Sequence, residues 1–498
     1  VMKDITITLP HTVFTVLQTL ESHGFEACIV GGCVRDILRG ILHNKLILPK
    51  DWDIATDATS AQVIEVFSNN PCFRIIPIGL QYGTLGILQE SSYQKNPIIE
   101  VTTYRIDGRY SDSRKPDNVI FTRSLERDLA RRDFSINAIA CSLKSANSLS
   151  NNKDAPISCL MQIHDYFQGI QSLKTHLIAC VGDALEKLQE DALRIMRALR
   201  FSATLEPHFD IDSVTKKAMF SQKTKLSYIA KERIQMEFNK LLLGKYATQV
   251  ALYYKEILHV IYPEIALLSY QQYTINMRAL QHASDRLSVR LALFFNNTPF
   301  CLSKMAQEMT ITKHTNKKNG QKYANNYTQT IFLALKRLRY DNKTISASMA
   351  LLSLQQEKMP TNKITIKNLL SRIGTETFWF YLQNNIAIAK ALESCRDTQS
   401  DFPSLDSLLA IQILYQDIID KKECFSLSHL DVRGDDILAM MKNKWTNTEK
   451  IKTPTINKKQ VGIILQKLLD YVIANHLSYQ DSTKEELLTL AETLIDSL

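Results

Sequence analysis

Apolar positions recur at helical spacing over residues 9–24, then give way to short apolar runs at 51–56, 72–78, 83–89 and 97–105. A single helical segment at 60–68 interrupts those strand-like runs. Beyond about residue 180 the period changes. Helical spacing then dominates at 183–204, 229–243, 247–260, 286–296, 329–340, 380–394, 404–420 and 458–475. The pattern predicts an α+β chain, with a mixed-sheet head followed by an all-α remainder. Polar stretches at 144–155, 311–327 and 442–460, the last with six lysines, predict surface loops or linkers.

The chain has 498 residues, enough for two to four domains, and a net charge of +9 that favours an anionic partner. Nine scattered cysteines with no C-x-x-C argue for a reducing compartment and against a zinc site or disulfide framework. No apolar run approaches the roughly 18 residues of a membrane span. The first residues carry no signal-peptide pattern. A cytoplasmic protein with no membrane partner is the expectation. Nothing in the sequence fixes an oligomeric state.

Candidate chemistry begins at Gly31-Gly32-Cys33-Val34-Arg35-Asp36. After the strand-like Ile29-Val30, two glycines permit a tight turn, and the helix behind them points its N-terminal amides at an anion, with Arg35 as clamp. Such a turn is more often a plain strand-to-helix connection. Fifteen residues on, Asp51 and Asp53 alternate along an extended segment and leave the same side of a sheet. A lone D-x-D is usually a solvated turn, but in this order the pair can bridge two magnesium ions about 3.5–4 Å apart, as in-line phosphoryl transfer requires. Glu100, in a third strand-like run, is either a third acidic group or a sheet-edge carboxylate.

Arg131-Arg132, opening Arg-Arg-Asp-Phe-Ser-Ile-Asn-Ala, could grip a triphosphate with both guanidiniums or merely decorate a helix end. In 190–201, read as one helix, Asp191, Arg194, Arg197 and Arg200 step by three. Such a charge run is commonly a solvated face. Yet Asp191 can only accept hydrogen bonds and Arg194 can only donate them. Cytosine and adenine each present an amine beside a ring nitrogen, and such a pair complements both. Uracil and guanine present the reverse order and would leave charged groups unpaired.

Taken together these motifs resemble those of the class II CCA-adding tRNA nucleotidyltransferases, sister family to the bacterial poly(A) polymerases. G-G-x-V-R-D, D-x-D, R-R-D-F-[ST]-x-N-A and E-D-x-x-R-x-x-R-x-x-R-F appear in family order. The resemblance implies a polymerase-β-like nucleotidyltransferase head. In it Asp51 and Asp53 hold two Mg2+ ions, Glu100 is the third acidic position, and Gly31, Gly32, Arg35 and Arg132 hold the triphosphate. Asp191 and Arg194 become the protein template for the base, supported by Arg197 and Arg200. Residues 105–116, with Arg105, Asp107, Arg109, Tyr110 and Arg114, match the flexible loop that switches the family from CTP to ATP. At 78–84 the chain has the G-x-x-x-G-T of the tRNA enzymes rather than the basic stretch of poly(A) polymerases.

The implied activity is addition or repair of the C-C-A end of tRNA from CTP and ATP. The implied division is a catalytic head at 1–175, a base-recognising neck at 176–245, a body at 246–370 and a tRNA-binding tail at 371–498. Asp165–Gly169, Glu232–Phe238, 431–437 and 461–465 resemble further family segments, with Tyr166 where the family has proline. At 290–299, Asn296 and Asn297 stand where longer members have the ligands of a metal-binding histidine–aspartate module. Amides are poor ligands there, so the module is expected to persist as scaffold. Basic groups at 313–322 and 336–343 are candidates for RNA contact. An A-adding-only enzyme, a poly(A) polymerase and a non-catalytic RNA-binding protein remain the alternatives.

Overall fold

The computed structural model describes residues 3–68, 70–89, 98–108, 119–147, 156–297, 317–395, 402–446, 458–475 and 484–496. Its contacts divide the chain into two units, 1–263 and 264–498.

The first unit is built on strands β1 (Asp4–Leu9), β2 (Ala27–Val30), β3 (Asp53–Thr56), β4 (Phe73–Gly79), β5 (Thr84–Gln89) and β6 (Ile99–Thr103). A separate two-stranded ribbon pairs β7 (Arg105–Asp107) with β8 (Val119–Phe121), and β9 (Ala140–Asn147) and β10 (Ile157–His164) return to the main sheet. The order is β1-β10-β9-β2-β3-β6-β5-β4. Among its described strands β3 and β6 are the parallel pair, with Asp53 opposite Glu100. A parallel pair needs a long crossover, and the helix Ser60–Ser68 with the β4–β5 hairpin supplies it. Central β2 is buried along its whole length, whereas edge strand β1 alternates exposed and buried positions.

Helices α1 (His11–Ser22), α2 (Gly32–Leu42), α3 (Ser60–Ser68), α4 (Leu125–Ala130) and α5 (Gly169–Thr175) complete the head. On α1, Val13, Phe14, Val16, Leu17 and Leu20 form the buried stripe that the spacing predicted. Six more helices follow: α6 (Ala184–Glu190), α7 (Leu193–Thr204), α8 (Ser213–Gln222), α9 (Lys231–Leu242), α10 (Ala247–Tyr253) and α11 (Lys255–Ile261). A two-residue parallel pairing of Leu177–Ile178 with Asp210–Ile211 lies among them, so this stretch is not wholly α.

The second unit is helical throughout its described residues, at Tyr270–Ala279, Leu287–Phe294, Lys317–Arg337, Asn342–Leu354, Lys363–Ile373, Thr375–Ser394, Leu405–Asp420, Gly434–Thr446, Lys458–Ala474 and Lys484–Asp496. Near the C-terminus Ile437, Ile464, Leu468, Val472 and Leu487 share one core. Among the described residues no helix is long and apolar enough to cross a membrane.

Several expectations are corrected. The helix expected over 183–204 is two helices, interrupted at Asp191, whose backbone is extended (φ −139°, ψ 102°). The helix expected over 247–260 likewise breaks at Tyr254. Of the polar stretch 144–155, residues 144–147 continue β9, because the antiparallel ladder pairs Ser145, Ala146 and Asn147 with β10 whatever their polarity. Residues 317–327 are helical rather than loop, and helices enter the stretch 442–460 from both ends.

Candidate active site

Gly31 closes β2 and caps α2 with φ +78°, a conformation that L side chains rarely adopt. A Cβ there would lie 3.0 Å from Arg132 Nη1 and 3.7 Å from Asp53 Oδ2. The glycine turn, the second aspartate and the second arginine of three separate motifs therefore converge. On Gly32 a Cβ would meet only Arg35 Nη2, at 3.8 Å, leaving its amide approachable by a phosphate. Arg35 is anchored on both sides of its fork. Its Nε and Nη2 donate to the Asp36 carboxylate at 3.0 Å each, and Nη1 donates to Asn137 Oδ1 at 2.8 Å.

Asp53 begins β3 and stands beside Glu100 on the parallel neighbour. Burial, then the charges of Glu100 and Asp51, push its carboxyl up to about 6, against the opposing pull of Arg132. Asp51 and Glu100 are exposed. Among the described residues no three His, Cys, Asp or Glu side chains converge closely enough to hold a metal ion. The crowding of Asp53 by Glu100 and Asp51 and the all-oxygen donor set nonetheless fit magnesium. That ion takes one or two protein carboxylates and completes its shell with water and substrate phosphate.

The two arginines of Arg131-Arg132 turn to different sides. Arg131 and Arg132 end α4 and diverge across the fully buried Asp128. Arg131 Nη2 meets Asp128 Oδ1 at 2.8 Å and its Nη1 faces Asp107 Oδ2 at 4.0 Å, while Arg132 Nη2 meets Asp128 Oδ2 at 3.3 Å and its Nη1 reaches towards Gly31. Burial pulls the Asp128 carboxyl up, but the two guanidiniums outweigh it and hold it below the usual range. Of the two, Arg132 is thus turned to the glycine turn. Arg105 Nε donates to Asp107 Oδ1 at 3.1 Å and Nη1 to the Tyr82 carbonyl, which ties down the foot of the expected flexible loop. Arg109, Tyr110 and Arg114 lie outside the described residues.

Asp191 lies at the break before α7 and Arg194 in the first turn after it, where the Arg194 amide donates to the Asp191 carbonyl at 3.0 Å. Asp191 Oδ1 accepts from the Leu193 amide at 2.9 Å and Oδ2 from Arg233 Nη2 at 2.8 Å. Arg194, only 7% exposed, donates to the Lys187 carbonyl, to Glu190 and to the Arg131 carbonyl at 2.7, 2.6 and 3.0 Å. Arg197 Nε donates to Asp133 Oδ2 at 2.7 Å, and Arg200 pairs with Glu237 on α9. Burial raises the Asp133 carboxyl, yet Arg197, Asn137 and the Phe134 amide together bring it down to about 2.

Phe201 sits under three guanidiniums, with Arg200, Arg35 and Arg197 at 3.7, 5.0 and 5.5 Å from its ring centre. Sequence reasoning assigned no role to Asp133, Asn137, Phe201, Arg233 or Glu237. The i,i+4 spacing of Asp133 and Asn137 inside the Arg-Arg-Asp motif was the available signal.

Residues 27–179 match the family of the poly A polymerase head domain, and residues 208–268 match a probable RNA and SrmB-binding site of polymerase A. Over 231 residues the chain is 42% identical to the CCA-adding enzyme of Lactococcus lactis subsp. lactis, covering 46% of this chain and 50% of that protein. The CCA-adding enzyme of Anoxybacillus flavithermus is 40% identical over 254 residues, 51% of this chain and 55% of that one. The chain thus spans about half the length of the curated relatives it matches. Among solved structures, the Bacillus stearothermophilus CCA-adding enzyme in complex with CTP aligns over 98% of both chains, with a TM-score of 0.61 at 23% identity. The Thermotoga maritima CCA-adding enzyme complexed with tRNA_CCA covers 97% of this chain and 95% of its own, with a TM-score of 0.59 at 16% identity. These likenesses establish the mixed-sheet head and helical remainder as a known fold.

Proposed function

We propose that this chain, whose residues 27–179 match the poly A polymerase head family, adds or repairs the C-C-A end of tRNA from CTP and ATP. The observation that carries the reading is the meeting of Gly31, Asp53 and Arg132 at one point, with Glu100 in register on the next strand. A phosphate-binding turn beside repelling carboxylates has little structural purpose, because it costs stability until an ion and an anion arrive together. The 40–42% identity to CCA-adding enzymes over the N-terminal half supports the same reaction.

In this reading Gly32 and the first amides of α2 receive the triphosphate, and Arg35 and Arg132 orient it. Asp51 and Asp53, with Glu100 behind them, would hold two magnesium ions, which when bound supply charge neutralisation for in-line transfer. The RNA 3′-hydroxyl gives up its proton to solvent as its oxygen bonds to the α-phosphorus, the α–β bridge breaks and pyrophosphate leaves. The chain's contribution is alignment and fixed charge. Asp191 and Arg194 keep their separate anchors while presenting an acceptor and a donor to cytosine or adenine. Residues 176–245 would form the neck that carries them, and the helical body and tail would bind tRNA through its phosphates by shape. A reducing cytoplasmic setting suits the described cysteines, several of whose thiols burial pushes up, Cys28 to about 12 and Cys33 to about 11.

The test is metal-dependent transfer of a labelled nucleotide to tRNA lacking its last three nucleotides. Wild type should extend it, while Asp51→Ala and Asp53→Ala should lose at least about a thousandfold in rate with the fold retained. Transfer that survives either substitution contradicts the assignment.

A further inference from the structure

We propose that Asn137 is a positioning residue that couples the triphosphate clamp to the base-reading helix, so that discrimination between bases depends on the triphosphate being held. The inference rests on the reading above, in which Arg35 meets the triphosphate and α7 meets the base.

A continuous hydrogen-bonded chain joins the two. Arg35 Nη1 donates to Asn137 Oδ1 at 2.8 Å, and Asn137 Nδ2 donates to Asp133 Oδ1 at 3.1 Å. Asp133 Oδ2 accepts from Arg197 Nε at 2.7 Å, and Arg197 and Arg200 then converge on Glu237. The amide orientation is dictated by its partners, since a guanidinium only donates and a carboxylate only accepts. Asparagine is the smallest side chain that offers an acceptor and a donor in one plane. Here it is 6% exposed, on the 3-10 turn Ser135–Asn137, with one partner on α2 and the other just before the turn.

Local needs do not account for this bond. Asp36 already neutralises Arg35 through two contacts, and Arg197 already neutralises Asp133. What Asn137 adds is a connection. Phe201 provides a second one, because Arg35 and Arg197 both lie over its ring. An anion that draws Arg35 forward alters its bond to Asn137, the share of Asp133 that Asn137 satisfies, and hence the hold on Arg197. Buried charged groups linked in this way polarise one another.

The experiment measures equilibrium binding of CTP, UTP, CMP and UMP to the full chain with magnesium and without RNA. In the wild type the preference for CTP over UTP should exceed that for CMP over UMP by about tenfold, the worth of one hydrogen bond to a charged group. Asn137→Ala should erase that excess and leave the monophosphate preference in place. A merely structural role would lower the melting temperature and weaken all four ligands alike, with the ratios unmoved, and that result overturns the proposal. Should Asn137→Ala fail to fold, Asn137→Ser keeps one polar atom but cannot span both partners, and it is judged by the same ratios. Loss of coupling and loss of the functional reading are distinguishable. A wild type whose triphosphate and monophosphate preferences are equal overturns the coupling alone, and one with no preference among bases overturns both.

Discussion

The Asp53 carboxyl, pushed up to about 6 from 3.8, makes the metal-free site a stability cost at neutral pH. The folded chain holds this proton more tightly than the unfolded chain, so the cost is absent below the unfolded value. It grows as pH rises and is complete above the folded one. After solvent screening it is worth roughly 2 kcal/mol. Asp53→Asn should therefore raise the melting temperature of metal-free protein at pH 8 by about 5 °C, although it abolishes transfer. Melting curves in chelator should show that gain shrinking between pH 6 and 4. A gain independent of pH would mean that charge repulsion is not its source. Gly31→Ala acts at the same scale through the backbone. Its φ of +78° and the 3.0 Å approach to Arg132 Nη1 predict a loss of about 1–2 kcal/mol in denaturant titration, together with weaker nucleotide binding.

At the scale of elements, two short segments hold the site together. Gly169 starts α5 against the 3-10 turn that bears Asn137, and a Cβ there would lie 2.3 Å from the Ser135 carbonyl oxygen. Gly169→Ala should destabilise the head by about 2 kcal/mol or more, measured by chemical denaturation. Asp133 ties α7 to the same turn. Its folded value near 2 lies below 3.8, so its stabilisation is present above the unfolded value and is lost as pH falls from 3.8 towards 2. Asp133→Asn should cost about 2 kcal/mol at pH 7, and the gap should narrow as pH falls below 4.

The sequence made the glycine turn, the D-x-D strand, the α3 crossover and the stripe of α1 legible, because each depends on local spacing. The break at Asp191 was not legible. No proline or glycine marks it, and the helical period of 183–204 runs across it, while Arg233 on α9 and the Leu193 amide hold Asp191 out of the helix. The divergence of Arg131 and Arg132 was hidden for the same reason, since Asp128 divides them through three-dimensional contacts. Residues 317–327 misled in another way, their polarity resembling a loop although the helix Lys317–Arg337 includes them.

For the whole molecule, the charge of +9 and the helical remainder fit a partner bound through its phosphates. Affinity for tRNA should then fall at least tenfold between about 50 and about 200 mM salt, as read by filter binding, while single-nucleotide affinity changes far less. The proposed activity needs a templating pocket that builds one defined trinucleotide. Its most direct test is extension of tRNA lacking three, two or one terminal nucleotides, with CTP, ATP or both, followed by sequencing of the products. Exact C-C-A completion of every primer is expected when both nucleotides are present, and C-C alone on the shortest primer with CTP only. A single A added solely to the longest primer, long A tails on any RNA, or no transfer with magnesium would contradict it.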